Sequence, residues 1–238
     1  MAQMTGARLS VATIGNASLR SFSIHIDKQA FLGKVCFFVL KKKGVAHMKA
    51  LEDKILKEGT VLPGHVLKVA SFLNHQLDVD FIMEMGREIG RLFAESGATK
   101  ILTVETSGIA IAMAAGAAMH LPVVFAKKHK TSNLSGDVYS TVVHSYTHGV
   151  DYTVVVNKDF LKAGEKILIV DDFLANGKAL MGLIDIVKQA GAEVIGCSCA
   201  IEKGFQKGGD QLREAGIRVE SLAIVETMTS DSLTFRRV

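Results

Sequence analysis

The chain has 238 residues, of which 48% are hydrophobic and 22% charged, and its formal net charge at pH 7 is +4. These values describe an ordinary globular protein with one sizeable core, and they argue against a disordered chain. The 28 basic and 24 acidic residues form no long basic stripe, so we expect no nucleic-acid partner, and a small anionic ligand would explain the surplus equally well.

The cysteines and the longest apolar stretch near the amino end bear on the cellular compartment. Cys36, Cys197 and Cys199 fit no disulfide framework, and the Cys-Ser-Cys spacing is too tight for the usual zinc or redox pairs. Residues 35–40, VCFFVL, are too short to span a bilayer and too far from Met1 for a usual signal peptide. We therefore expect a cytoplasmic protein with reduced thiols, no membrane segment and no export.

The first 47 residues show no clear helical or strand period, and a regular pattern begins at Met48. Lys-Lys-Lys-Gly-Val at residues 41–45 requires A-rich codons followed by GGN and GTN, which resembles a bacterial ribosome-binding site just before a start codon. The hypothesis is that residues 1–47 are a translated leader and residues 48–238 the functional domain. The alternative is a flexible amino-terminal arm. A native amino-terminal peptide covering residues 12–20, found by mass spectrometry, would contradict the leader.

Two amphipathic helices are predicted first, separated by a mixed segment. Residues 48–59 place Leu51, Ile55 and Leu56 on one face, with Gly59 as the stop. Residues 79–97 form a longer helix. Its apolar face consists of Phe81, Ile82, Met85, Ile89, Leu92 and Phe93.

Strands and helices alternate through the rest of the chain. Residues 100–104 predict a buried strand, which a small-residue turn joins to an alanine-rich helix and a further strand. Two alternating segments, at residues 139–146 and 152–156, are typical of an antiparallel hairpin. A strand, a helix at residues 178–190 and two more strands complete the order. The alternation predicts an α/β fold, a parallel doubly wound sheet flanked by helices with a β-hairpin insertion.

ILIVDDFLANGKA, residues 167–179, carries the most informative chemistry. Its four apolar residues predict a strand covered on both faces, so Asp171 and Asp172 would emerge at the carboxyl edge, where open α/β sheets bind ligands. The next turn leads into a helix, so the backbone N–H groups of residues 176–179 would suit a phosphate, and Gly177 would allow close approach. The carboxylates would repel that phosphate but could accept hydrogen bonds from sugar hydroxyls and hold Mg²⁺ through water. A phosphate beside a diol describes a ribose 5-phosphate.

This order of apolar residues, two acids and a small-residue phosphate loop resembles the type I phosphoribosyltransferases. These enzymes transfer a ribose phosphate from 5-phosphoribosyl 1-diphosphate (PRPP) to a base nitrogen. The general signature has hydroxyl residues where this chain has Asn176 and Ala179. The chain is more similar to a bacterial branch of the family that acts on xanthine, through the segments VLKVASFLNHQLD, VETSGIA, VVFAKKHK, VDDFLANGKA and IEKGFQ. The resemblance covers residues 48–238 and none of residues 1–47.

The resemblance implies roles around the ribose phosphate. Asp171 and Asp172 would hold the ribose hydroxyls and help to orient a substrate-bound Mg²⁺, with no direct protein ligand to the metal. The turn after the strand at residues 100–104 would bind the diphosphate together with Mg²⁺ through Thr106, Ser107 and Gly108; the alternative is a simple helix cap, for which threonine and serine are also suited. The 5-phosphate would be bound by the loop residues Ala175, Asn176, Gly177, Lys178 and Ala179.

For the base, the resemblance points to Leu67, Asn74 and Lys203. Xanthine carries carbonyl oxygens at C2 and C6, so its site needs hydrogen-bond donors. Lys203 at a strand end would donate a charge-assisted hydrogen bond, and Asn74 offers both a donor and an acceptor. Taken alone, they would be interpreted as a solvated lysine and a turn residue.

The implied activity is the conversion of xanthine and PRPP to xanthosine 5′-monophosphate and diphosphate in purine salvage, by a homodimer. The basic segment at residues 126–136 would be a mobile cover over the diphosphate or a solvated basic turn. One alternative is an adenine phosphoribosyltransferase, against which Asn74 and Lys203 argue. Another is a DNA-binding purine regulator, but residues 1–47 show no pair of amphipathic helices for a helix-turn-helix module.

Overall fold

The structure is a computed structural model that describes residues 48–129, 137–145, 150–229 and 232–237. The predicted leader or arm at residues 1–47, with Cys36, lies outside the described residues, as do residues 130–136 of the basic segment. The described residues all belong to one compact unit.

The amino-terminal part of this unit contains two helices with a small antiparallel sheet and one π-helical turn between them. The helices pack apolar faces against the core, as predicted, with Leu51 and Ile55 buried on the first. Leu56 does not belong to that face, because it lies about 100° further round the helix than Ile55, and it is 57% exposed. The elements are α1 (Lys49–Glu58), β1 (Thr60–Leu62), β2 (Val66–Lys68), the π-helix (Ala70–Asn74) and α2 (Val79–Leu92).

Eight strands form the main sheet, and three further helices accompany them. The helices are α3 (Gly108–Met119), α4 (Lys178–Gln189) and α5 (Gly208–Glu214). The strands are β3 (Lys100–Val104), β4 (Val123–His129), β5 (Val138–Ser145), β6 (Val150–Asn157), β7 (Lys166–Leu174), β8 (Glu193–Lys203), β9 (Val219–Met228) and β10 (Leu233–Phe235).

The strand order is β10-β9-β8-β7-β3-β4-β6-β5. Strands β9, β8, β7, β3 and β4 are parallel, whereas β10 and the β5–β6 hairpin pair antiparallel at the two edges. This confirms the predicted parallel doubly wound sheet with a hairpin. The hairpin extends the sheet, because β6 pairs with the carboxyl end of β4, where Lys127 is opposite Val155. The chain runs from β3 to one side and from β7 to the other, so the topological switch point lies between β3 and β7.

The core has two layers, one on each face of the sheet. Strand β7 contributes Leu168 and Val170 to the layer under α2 and α3, and Ile167 and Ile169 to the layer under α4. Its apolar run is therefore covered on both faces, as predicted. The helices that the structure describes are too short, or not apolar enough, to cross a membrane.

Candidate active site

The acid pair lies inside β7. This corrects the prediction that the aspartates emerge from the end of the strand, because β7 continues to Leu174, and Asp171 pairs with Cys199 of β8. The Asp172 backbone N–H donates a hydrogen bond to Asp171 Oδ1 at 2.9 Å. Asp171 is only 5% exposed, and Asp172 is partly exposed. The pair is thus held rigidly by the sheet, with Asp172 the more accessible member.

Burial dominates the electrostatics of this pair. Loss of hydration raises the pKa of Asp171 well above its ordinary value, and the adjacent charge of Asp172 raises it further. Burial also raises the pKa of Asp172, while the positive charge of Lys128 lowers the pKa of both carboxyl groups. Hydrogen-bond donors and positive charge on a bound ligand would stabilise the ionised form of these buried carboxyl groups.

The turn after β3 approaches the acid pair closely. It comprises residues 105–107, its Glu105–Thr106 peptide bond is cis, and α3 begins at Gly108. A Cβ atom at position 108 would lie 2.6 Å from Asp171 Oδ1 and would also overlap the Thr103 hydroxyl. Glycine at this position therefore allows the first turn of α3 to lie against the acid pair.

The acid pair and the turn share one cavity of about 110 Å³ at the switch point. It is lined by Val104, Glu105, Thr106, Ser107, Gly108, Lys128, Tyr152, Asp171, Asp172 and Ala179. The structure thus brings together the predicted ribose residues, the predicted diphosphate residues and the last residue of the predicted phosphate loop.

Lys128 and Tyr152 were not singled out by sequence reasoning. Lys128 lies in β4, within the basic segment at residues 126–136, and its backbone N–H donates a hydrogen bond to Glu105 Oε1 at 2.6 Å. Its ammonium lies 5.2 Å from the centre of the Tyr152 ring. Burial raises the pKa of Tyr152, and the charge of Asp171 adds to the effect. The lysine composition of the segment was the only signal for Lys128, and Tyr152 reaches the cavity because β6 pairs with β4.

The loop from Ala175 to Ala179 connects β7 to α4. Gly177 has a φ of 80°, a left-handed conformation that glycine adopts without a steric cost. Asn176 Oδ1 accepts a hydrogen bond from the Lys178 backbone N–H at 3.1 Å. The asparagine therefore already engages one of the N–H groups that were expected to face an anion. On the other side, the Gly208 N–H donates to the carbonyl oxygen of Ala175 at 3.1 Å.

The acid pair fits a divalent cation only as part of a larger ligand set. Among the described residues, no three or more histidine, cysteine, aspartate or glutamate side chains are grouped so as to hold a metal. Mg²⁺ usually keeps several waters and binds through one or two carboxylates together with substrate phosphates. Asp171 and Asp172 fit the protein share of such a set.

The predicted base residues lie in β2, at the end of the π-helix and at the end of β8. Leu67 is buried in β2, and Asn74 is the exposed last residue of the π-helix. Lys203 ends β8, and its Nζ donates a hydrogen bond to the His65 carbonyl oxygen at 3.0 Å. Burial lowers the pKa of Lys203. The structure thus joins the end of β8 to the small sheet that carries Leu67, while Asn74 stands one element further along the chain.

Aromatic rings that sequence reasoning did not select lie near Lys203 or near His65, its hydrogen-bond partner. Its ammonium lies 5.8 Å from the centre of the Phe173 ring, and the His65 and Phe205 ring centres are 5.6 Å apart. Phe173 follows the acid pair in VDDFL and Phe205 lies in IEKGFQ. Flat apolar rings beside a hydrogen-bond donor suit a planar heterocycle.

Solved structures share this fold. An adenine phosphoribosyltransferase from Giardia lamblia matches with a TM-score of 0.61 and 19% identity, covering 75% of this chain and 98% of that one. The enzyme of the same name from Rhodothermus marinus matches with a TM-score of 0.60 and 22% identity, covering 74% of this chain and 99% of that one. At these identities the likeness establishes the fold alone.

Sequence comparison identifies the family. The model of the phosphoribosyl transferase domain matches residues 70–215. The xanthine phosphoribosyltransferase of Lachnoclostridium phytofermentans is 52% identical over 187 residues, which cover 79% of this chain and 96% of that protein. The protein of that name from Limosilactobacillus reuteri is 49% identical over 188 residues, covering 79% of this chain and 98% of that protein. The chain therefore belongs to the phosphoribosyltransferase family and, within it, to the bacterial xanthine phosphoribosyltransferases.

Proposed function

We propose that this chain converts xanthine and PRPP to xanthosine 5′-monophosphate and diphosphate. The observation that carries this proposal is the single cavity shared by the acid pair, the turn at residues 105–107 with Gly108, and the end of the predicted phosphate loop. About half of the aligned residues are identical to those of relatives named for this reaction. The reaction replaces the C1–diphosphate bond of the ribose by a bond to a base nitrogen.

The acid pair acts on the ribose. As the diphosphate leaves, positive charge develops on the ribose ring, so the transition state resembles an oxocarbenium ion. Asp171 and Asp172 accept hydrogen bonds from the ribose hydroxyls, and their negative charge stabilises the developing cation. Because β7 holds both residues rigidly, the ribose is positioned before the bond breaks.

The two anionic groups of PRPP bind at the two helix amino termini beside the acid pair. The backbone N–H groups of residues 175–179 that Asn176 does not engage take the 5-phosphate, and Thr106, Ser107 and Gly108 at the start of α3 take the diphosphate. Lys128 lies in the same cavity and offers a positive charge to the diphosphate. Asp171 and Asp172, together with substrate oxygens, would hold Mg²⁺, which would supply further positive charge to offset the charge of the leaving group.

The base lies between the end of β8 and the segment that carries Leu67 and Asn74. Lys203 donates to one carbonyl oxygen of xanthine, and Asn74 pairs with the edge that distinguishes xanthine from hypoxanthine. A site built for such hydrogen bonds rejects analogues that leave its polar groups unpaired. Adenine has an amino group where xanthine has a carbonyl oxygen, so it offers Lys203 no acceptor there.

The proposal also includes the oligomeric state of the protein and its cellular compartment. A homodimer follows from the resemblance to the family, and a cytoplasmic location agrees with Cys197 and Cys199, which are buried free thiols. Sedimentation of the purified protein tests the first, and fractionation of the native cells tests the second.

Product formation with PRPP, Mg²⁺ and each purine base in turn tests the reaction. We expect a clear preference for xanthine. A preference for adenine would keep the ribose-phosphate site and overturn the roles of Asn74 and Lys203. The absence of turnover with every base would contradict the enzyme and favour a regulator that only binds PRPP.

A further inference from the structure

We propose that Gly208, Gly209 and the ion pair between Glu202 and Arg213 position the 5-phosphate loop. These four residues are called the loop support here. The inference rests on the proposed function, because it assigns a role toward the PRPP phosphate. None of the four touches the cavity, so they are positioning residues that act through the backbone of residues 175–177.

The first contact is between Gly208 and the loop. A Cβ atom at position 208 would lie 2.5 Å from the carbonyl carbon of Asn176 and would overlap the Ala175 carbonyl oxygen and the Gly177 nitrogen. All three are backbone atoms, so no side chain could turn aside to make room. The contact is reciprocal, since a Cβ atom on Gly177 would lie 3.3 Å from the Gly208 carbonyl oxygen. The position of Gly208 therefore decides where the loop can lie.

The second contact is the close approach of Gly209 to the buried carboxylate of Glu202. A Cβ atom at position 209 would lie 2.8 Å from Glu202 Oε2 and would overlap Oε1 as well. Glu202 is 0% exposed, and the Ser221 hydroxyl donates a hydrogen bond to it. Two glycines in succession thus let the chain pass between a buried carboxylate and the phosphate loop.

The third contact is the ion pair between Glu202 and Arg213, which links β8 to α5. Two Arg213 nitrogens donate to Glu202, Nη1 to Oε1 at 2.9 Å and Nη2 to Oε2 at 2.7 Å. Arg213 belongs to α5, which begins at Gly208. A two-point contact of this kind fixes orientation as well as distance. It therefore sets the start of α5 relative to β8, which neighbours the strand that leads into the loop.

The consequence concerns one substrate more than the other. Backbone N–H groups bind a phosphate only when the loop holds them in the right geometry, and a displacement of about 1 Å can cost about 100-fold in rate. Lys203 is the last residue of β8, and its ammonium contacts His65 and Phe173. A change at Gly208 should therefore weaken phosphate binding and leave recognition of the base largely unchanged.

Gly208→Ala tests the loop support, with ribose 5-phosphate as the probe in isothermal titration. We expect its Kd to rise at least about tenfold, together with the KM for PRPP, while the KM for xanthine changes less than about twofold. Gly86→Ala is the matched control. Its added methyl would lie 2.6 Å from the Ala114 carbonyl oxygen, between α2 and α3 on the opposite face of the sheet from α4.

Arg213→Lys is the milder second variant, and it serves if Gly208→Ala does not fold. It keeps the positive charge but loses the two-point contact, so we expect an intermediate rise in the Kd for ribose 5-phosphate. Lower melting temperatures with an unchanged Kd in these variants would show a purely structural role and overturn the inference. If the unchanged protein binds ribose 5-phosphate but converts no base, the proposed function fails, and the effect of the variants on this Kd still decides the inference.

Discussion

The Lys203 ammonium donates a hydrogen bond to the His65 carbonyl oxygen at 3.0 Å, although the two residues are 138 positions apart. His65 lies between β1 and β2 and has a φ of 60°, so the bond fastens the small sheet to the end of β8. Phe173 lies beneath the same ammonium. We expect a base carbonyl oxygen to take the place of the His65 oxygen when the base binds.

Lys203→Ala should raise the KM for xanthine by about 10- to 100-fold, because a hydrogen bond to a charged group contributes about 1.5–3 kcal/mol. The KM for PRPP should change little, because the Lys203 ammonium contacts the His65 carbonyl oxygen and the Phe173 ring, and Lys203 is not among the residues that line the cavity at the acid pair. Steady-state kinetics with each substrate varied in turn measures both. Lys57→Ala, at an exposed position of α1, is the control. Equal increases in both constants would contradict a role in base recognition.

Changing Asp171 and Asp172 together to Asn should cut turnover by about 100- to 1,000-fold, because removal of a preorganised electrostatic contact to a transition state has effects of this size. The fold should persist, since asparagine matches the shape of aspartate. Single-turnover rates and circular dichroism of the same sample check the two expectations. Asp159→Asn, on an exposed 3₁₀ turn, should behave like the unchanged protein. Full turnover in the double variant would remove the pair from the mechanism.

Asp171→Asn should raise the free energy of unfolding at neutral pH in the absence of ligands. Burial, followed by the charge of Asp172, raises the pKa of Asp171 in the folded state, so the folded protein retains a proton that the unfolded chain releases. Stability is therefore lost as the pH rises toward and through the folded-state pKa. Below the unfolded-state value of about 3.9 both states are protonated and the difference vanishes. Urea unfolding at several pH values measures this, and a gain that does not depend on pH would contradict the explanation.

Gly108→Ala should lower turnover by about 100-fold, because the added methyl would displace either Asp171 or the start of α3. Gly164→Ala is the control, since a methyl group there meets no atom within 4 Å. Its left-handed backbone would cost some stability without disturbing the cavity. Melting temperatures and initial rates of the two variants separate these effects. Comparable rates in both would show that the close approach at Gly108 is dispensable.

Glu202→Ala should lower the free energy of unfolding by about 1.5–3 kcal/mol, because it removes the carboxylate that accepts hydrogen bonds from two Arg213 nitrogens and leaves that guanidinium with the longer contact to Asp210. The double change Glu202→Ala with Arg213→Ala should cost less than the two single changes added together, since both remove the same interaction. Denaturant titration of the four proteins gives the coupling. Additive losses would show that the pair contributes no joint stabilisation.

Much of the fold follows from local sequence alone. The apolar run at residues 100–104 has the bounds of β3, and the predicted helix at residues 178–190 ends one residue after α4. Strand and helix periods are set by neighbouring residues, which is why these predictions succeed. Leu56 was assigned to the wrong face because adjacent positions on a helix differ by 100°, and only packing shows which edge of an apolar face is covered.

The sequence by itself determined the chemistry: two acids on a buried strand, a glycine-containing phosphate loop and a second small-residue turn after another strand. Only the tertiary structure decided what surrounds them. Lys128 and Tyr152 enter the cavity because β6 pairs with β4 and β3 lies beside β7. Gly208 contacts the loop at residues 175–179, and Lys203 contacts His65. The residues in each of these contacts are far apart in the chain. Strand order and register fix such contacts, and no local period encodes either.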